Sequence, residues 1–166
     1  MALDAAAQTN GRYSRIAYSA SRLQRVTDST LIQLQLAGQQ ASKNLDSSEK
    51  FALGGANAIR AYPQGEASGD EGLRATLELR QTLSANLQGI AFYDWGSIKV
   101  NKNPFGAAAA SNNRSLGGAG VGLNASFDKV QLKAALAWRT RGGLPTSVPA
   151  TAAKRPTLLV LAQVAF

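Results

Sequence analysis

The sequence predicts an all-β fold: about seven strands of an antiparallel transmembrane β-barrel, the C-terminal strands of a larger barrel that is incomplete in this chain. Three observations predict it. Apolar and polar residues alternate with period two through most of the 166 residues, as in strands with one greasy and one wet face. Very short turns and long loops follow each other in strict alternation, as at the two rims of an outer-membrane barrel. The chain also lacks any run of about 18 uninterrupted apolar residues, which excludes a membrane helix.

Taken in order, the first strand lies within Gly11 to Val26, where the alternation is weakest. The second sets Ile32, Leu34 and Leu36 against Gln33 and Gln35. The third, Leu73 to Leu83, sets Leu73, Ala75, Leu77 and Leu79 against Arg74, Thr76, Glu78 and Arg80. Leu87 to Val100 forms the fourth. In the fifth, Ala119, Val121, Leu123, Ala125 and Phe127 oppose Gly118, Gly120, Gly122 and Asn124. The sixth has Val130, Leu132, Ala134, Leu136 and Trp138 on one face and Gln131, Lys133, Ala135, Ala137 and Arg139 on the other. The last, Thr157 to Phe166, carries Leu158, Val160, Ala162, Val164 and Phe166 on its apolar face. Most approach the roughly ten residues that a tilted strand needs to cross a bilayer. Trp138 and Tyr93 suit interfacial aromatic girdles.

Turns at Thr27-Asp28-Ser29, Ser84-Ala85-Asn86 and Asp128-Lys129 are short, and loops near residues 42–71, 101–114 and 141–156 are long and rich in Gly, Asn, Ser and Pro. Residues 1–10 read as an unstructured start and 11–166 as the barrel segment. Seven strands cannot close a wide pore and an open sheet edge cannot sit in lipid, so further strands are expected from upstream or from another copy. The start MALDAAAQTNGRYSR has no basic region followed by an apolar stretch, which reads as a segment whose upstream part is missing.

Net charge is +8, and its basic residues, such as Arg15, Arg74, Lys133 and Arg139, are scattered among the strands instead of forming one tract with interleaved aromatics. No nucleic-acid partner is therefore expected. Cysteine and histidine are absent, which rules out thiol and imidazole catalysis and Cys/His metal sites. Glu66, Asp70 and Glu71 form the one acidic cluster, and a solvated, mobile loop accounts for them better than a metal or general-acid site. The expectation is no enzyme, no metal and no cofactor.

The string FALGGANAIRAYPQGEASGDEGLRATLELR resembles the segment of two-partner secretion outer-membrane transporters, of the haemolysin-activator and filamentous-haemagglutinin-transporter type, that spans their longest loop and the next strand. Its core stands here as Ile59-Arg60-Ala61-Tyr62, and a second family signature as Phe92-Tyr93-Asp94-Trp95-Gly96. The resemblance implies that the loop at about 42–71 folds back into the barrel and that Arg60 pairs with Asp94 on the inner wall. Phe92, Asp94 and Gly96 make up the wall motif, and Glu78 is a second acidic candidate. Ala61 departs from the commoner glycine and would be strained if the loop needed a positive φ there. Resemblance to outer-membrane barrels makes Phe166 the assembly signal.

What the resemblance implies about function is a pore, in the outer membrane of a Gram-negative bacterium, exporting a large unfolded polypeptide. Its partners would be the secreted polypeptide, the barrel-assembly machinery and outer-membrane lipid. Two alternatives stay open at the level of sequence: a barrel-assembly insertase fragment, and a soluble basic β-domain that binds an acidic polymer.

Overall fold

The computed structural model describes residues 7–105, 111–153 and 156–165. The first six residues of the expected unstructured start and Phe166, the expected assembly signal, lie outside the described residues. Seven long strands build one antiparallel meander: β1 (Arg15–Arg25), β2 (Thr30–Ala41), β5 (Glu71–Ser84), β6 (Leu87–Lys99), β7 (Asn113–Phe127), β8 (Val130–Arg141) and β9 (Thr157–Val164), hydrogen-bonded in that order. Two short strands, β3 (Phe51–Ala52) and β4 (Ser68–Gly69), pair with each other inside the longest loop. β1 and β9 are the outer edges of the large sheet, so the barrel is not closed in this chain.

The alternation in the sequence dictates which way each side chain points, but the environment is the inverse of a soluble sheet. Leu77 is 52% exposed on the outer face of β5, while its neighbour Glu78 on the inner face is 8% exposed. Val121 and Trp138 stand outward on β7 and β8, and Asp94 is fully buried on the inner face of β6. Exposed apolar side chains on all seven strands of the sheet form a patch far larger than a soluble monomer tolerates. On the outer face, the Tyr18 ring lies over Gly38 of the paired strand, where a Cβ would come within 2.4 Å of it.

Tight turns close three of the connections. Val26 donates to the Thr30 carbonyl at 2.9 Å, and Asp128 takes a left-handed φ of 47° between β7 and β8. Because the sheet is a simple meander, these turns share one rim and the loops 42–70, 100–112 and 142–156 share the other. The longest loop fills the concave side. Its Leu53, Ile59, Ala61, Tyr62 and Ala67 form the apolar core together with Phe92, Ile98, Leu116 and Ala137 of the wall. The hydrophobic core therefore lies between a loop and a barrel wall, not between two layers of regular structure.

Candidate functional site: the inward loop and its seat

The loop holds its own shape before it meets the wall. Ile59 donates to the Leu53 carbonyl at 2.8 Å, Gly55 to that of Tyr62 at 3.0 Å and Leu53 to that of Ala67 at 2.9 Å. Gly55 has a φ of 117°, which favours glycine, and a Cβ on Gly54 would lie 2.1 Å from the Pro63 carbonyl oxygen. This folded strap presents Arg60 to the wall.

Two adjacent strands, β5 and β6, supply the partners of Arg60. Its Nε and Nη2 each donate to one oxygen of Asp94 at 2.9 Å, and Nη1 donates to Glu78 at 2.7 Å. The Arg60 backbone N–H adds a 3.1 Å bond to Asp94, and the Thr76 hydroxyl another at 3.0 Å, so Asp94 accepts four hydrogen bonds. Glu78 also accepts from Arg80 at 2.8 Å. The guanidinium carbon lies 3.3 Å from the centre of the Phe92 ring. The register aligns the set: Thr76 pairs with Asp94 and Asp94 with Gly118, while Glu78 pairs with Phe92 and Phe92 with Gly120. Two like-charged carboxylates in one buried site repel unless a cation lies between them, and the planar fork of an arginine matches both. Burial opposes the charge on Arg60, but the hydrogen bonds and charges of Asp94 and then Glu78 more than offset it and hold the guanidinium above its ordinary pKa.

Glycines on the wall let the loop approach. A Cβ on Gly118 would stand 2.6 Å from that of Ala61, and one on Gly96 2.6 Å from a Leu53 methyl. Gly120 lies under the Phe92 ring, with 2.2 Å for any Cβ. Ala61 is fully buried and is not among the residues with positive φ, so the strain that a left-handed backbone would bring does not arise. Ile59 packs in the core, and the Tyr62 hydroxyl reaches the carbonyls of Arg141 at 2.6 Å and Gly143 at 2.9 Å.

The structure thus brings Arg60, Glu78, Phe92 and Asp94 into one cluster, with Ile59, Ala61, Tyr62 and Gly96 packed around it. Thr76 and Arg80 complete it. Both lie on the inner face that alternation assigns, which is the signal by which they are found.

Two expectations about the acidic cluster are corrected. Glu66 and Asp70 do not sit in a solvated loop: they are 4% and 0% exposed. They also point to different partners. Asp70 accepts from the backbone N–H groups of Leu45 and Lys102 at 3.1 and 2.7 Å and pairs with Lys50 at 2.9 Å. Glu66 turns to Arg114, Thr146 and Ser147. Burial alone would push the Glu66 carboxyl up, but the Ser147 hydroxyl, the N–H groups of Thr146 and Ser147 and the Arg114 charge hold it below its ordinary value. Among the described residues no group of three or more acidic side chains is placed to hold a metal ion.

Residues 2–125 match the model of the haemolysin secretion/activation protein ShlB/FhaC/HecB family. The chain belongs to this family. The matched stretch contains the strap, Arg60 and the Asp94 wall, and ends within β7. Among curated members, the heme/hemopexin transporter protein HuxB of Haemophilus influenzae is 32% identical over 124 residues, covering 72% of this chain and 22% of that protein. The chain thus spans about a fifth of the length of the curated relatives it matches. Two solved structures share the fold. CdiB from Escherichia coli superimposes with a TM-score of 0.71 at 21% identity, over 92% of this chain and 27% of that one. CdiB from Acinetobacter baumannii gives 0.65 at 22% identity, over 90% and 26%. The structural likeness extends beyond the matched sequence, so β8 and β9 belong to the same barrel wall as the strands before them.

Proposed function

We propose that this chain is part of an outer-membrane pore of a Gram-negative bacterium that exports a large unfolded partner polypeptide, and that the inward loop is its releasable plug. The observation that carries the reading is the Arg60 fork, which joins a loop to two carboxylates on the inner wall. Buried ion pairs with a complete hydrogen-bond set fix one geometry and fail when one partner is lost. Such a contact suits a loop held in place between passages of a substrate. Membership of a family of secretion proteins favours export over barrel insertion, and the outward apolar face favours lipid over water. The pore makes and breaks no covalent bonds and needs no cofactor. Strands from outside this chain pair β1 and β9, and the barrel-assembly machinery reads the last strand at Phe166.

The test is made in a complete transporter carrying this segment. Arg60→Ala strands the buried Asp94 without its cation and leaves Glu78 with Arg80 alone, a loss of about 3–5 kcal/mol from the docked loop. Arg60→Ala and Asp94→Ala are each expected to lower export of the partner while the barrel still appears in the detergent-extracted outer membrane. Unchanged export in both variants would sink the proposal.

A further inference from the structure

The Arg60 cluster is one of several polar anchors that this strap makes inside the barrel, and it leaves the one at Glu66 unexplained. Toward the rim of the long loops, the Glu66 side chain is completely shielded from solvent. Five groups donate to it: the Thr146 N–H at 2.8 Å and hydroxyl at 3.2 Å, the Ser147 N–H at 3.1 Å and hydroxyl at 2.6 Å, and the Arg114 guanidinium. Arg114 also donates to the Glu66 carbonyl at 3.0 Å and to the Thr146 hydroxyl at 2.8 Å. Two successive N–H groups and two hydroxyls of one loop, with a guanidinium from β7, form an anion receptor that the carboxylate of another loop fills. Its geometry needs Gly142 and Gly143, whose φ values of 99° and 71° turn the chain after β8. A Cβ on Gly142 would lie 2.9 Å from the Tyr62 hydroxyl and 2.6 Å from a Leu116 methyl.

We infer that Glu66 and the Thr146–Ser147 receptor form a second latch, which ties the strap to the 142–147 loop so that the two leave the barrel mouth together. The inference rests on the reading of the strap as a plug. Arg114 and Gly118, which mark the heights of the two anchors on β7, are four residues apart, or about 13 Å along the strand. Releasing Arg60 from the wall leaves the strap bound at Glu66 and, through the Tyr62 hydroxyl, at Arg141 and Gly143. Opening therefore requires that the 142–147 loop move with the strap or give up the Glu66 carboxylate. Glutamine does not replace it: its NH2 group would face N–H donors that need an acceptor.

Single-channel current through the complete transporter in a planar bilayer reads the plug directly. Glu66→Gln, and separately Thr146→Ala with Ser147→Ala, are expected to raise the open fraction about tenfold with Arg60 and Asp94 untouched, the size of a lost charge-assisted hydrogen-bond set. Combined with Arg60→Ala, the two factors are expected to multiply.

A pair of thiols supplies the converse test, and the chain has no cysteine to interfere. Glu66→Cys with Ser147→Cys, bridged by a short bis-methanethiosulfonate whose sulfinate groups leave as the two disulfides form, is expected to hold the channel closed until a reductant cuts the bridge. The bridged pair also serves if Glu66→Gln does not insert. Currents that respond to Arg60→Ala but not to Glu66→Gln or to the bridge overturn the latch and leave the pore reading standing. Silence in every variant, wild type included, overturns both.

Discussion

At the scale of single residues, the seat of the strap depends on how little side chain the wall offers. Gly118 and Ala61 share a gap that holds one methyl group, since a second Cβ would stand 2.6 Å from the first. The methyl belongs to the loop here, which is why alanine is accepted at 61 without a left-handed backbone. Gly118→Ala is expected to lift the strap by overpacking, at about 1–3 kcal/mol, and to lower export. Ala61→Gly in the same chain moves the methyl from loop to wall and is expected to restore export. Secretion assays of the two single variants and the pair check this, and a pair no better than Gly118→Ala alone would refute the shared gap. Arg60 and its pairing with Asp94 were legible only through the family motifs that carry them; alternation adds that Asp94 and Glu78 face inward. Glu66 was not legible: Arg114 lies 48 residues away at the start of β7, and Thr146 and Ser147 lie 80 and 81 residues away in a loop whose sequence has no period to read.

At the scale of elements, alternation reported orientation wherever one face meets lipid and the other the lumen. β5, β7 and β8 follow it closely because the middle of each outer face is apolar: Leu73 to Leu79, Ala119 to Phe127 and Val130 to Trp138. β2 extends five residues beyond the legible Ile32 to Leu36 pattern, through Ala41. Its far end loses the pattern for two physical reasons. Gln39 is buried inward, donating to the carbonyls of Glu49 and Asp70 at 3.0 and 3.3 Å, and the outward Gly38 is covered by Tyr18 in place of a side chain of its own. β1 begins at Arg15, four residues after the sequence would start it, and its alternation is blurred by Arg22 and Gln24 on the outer face and Leu23 on the inner one. The two-residue strands β3 and β4 are too short to carry any period.

The orientation yields a prediction about the bilayer. Leu77 points outward near the middle of the 14-residue β5, so Leu77→Arg places a charge in lipid at a cost of about 2–4 kcal/mol. Gln35→Arg, on the inner face of β2, is expected to cost less than half of that. Urea titration of the complete barrel in liposomes measures both, and equal losses would mean that the faces are misassigned.

At the scale of the whole molecule, the two edges of the sheet dominate the energetics. Every inner strand satisfies its N–H and C=O groups on both sides, whereas β1 and β9 each satisfy only one. In water an unpaired edge is hydrated, but in hydrocarbon each unsatisfied group costs several kcal/mol, and β1 alone is 11 residues long. The strap cannot compensate, because it docks on the concave face and leaves both edges bare. Seven strands with these edges are therefore expected not to reside in a bilayer by themselves. Expressed alone with an export signal, the 166-residue chain is expected to be degraded or aggregated. The same strands within a complete barrel are expected to resist protease and to migrate faster on an unboiled gel. A protease-resistant, heat-modifiable species from the chain alone would mean that its edges close, and its mass would tell how: one chain if β1 meets β9 directly, two if the edges pair between copies.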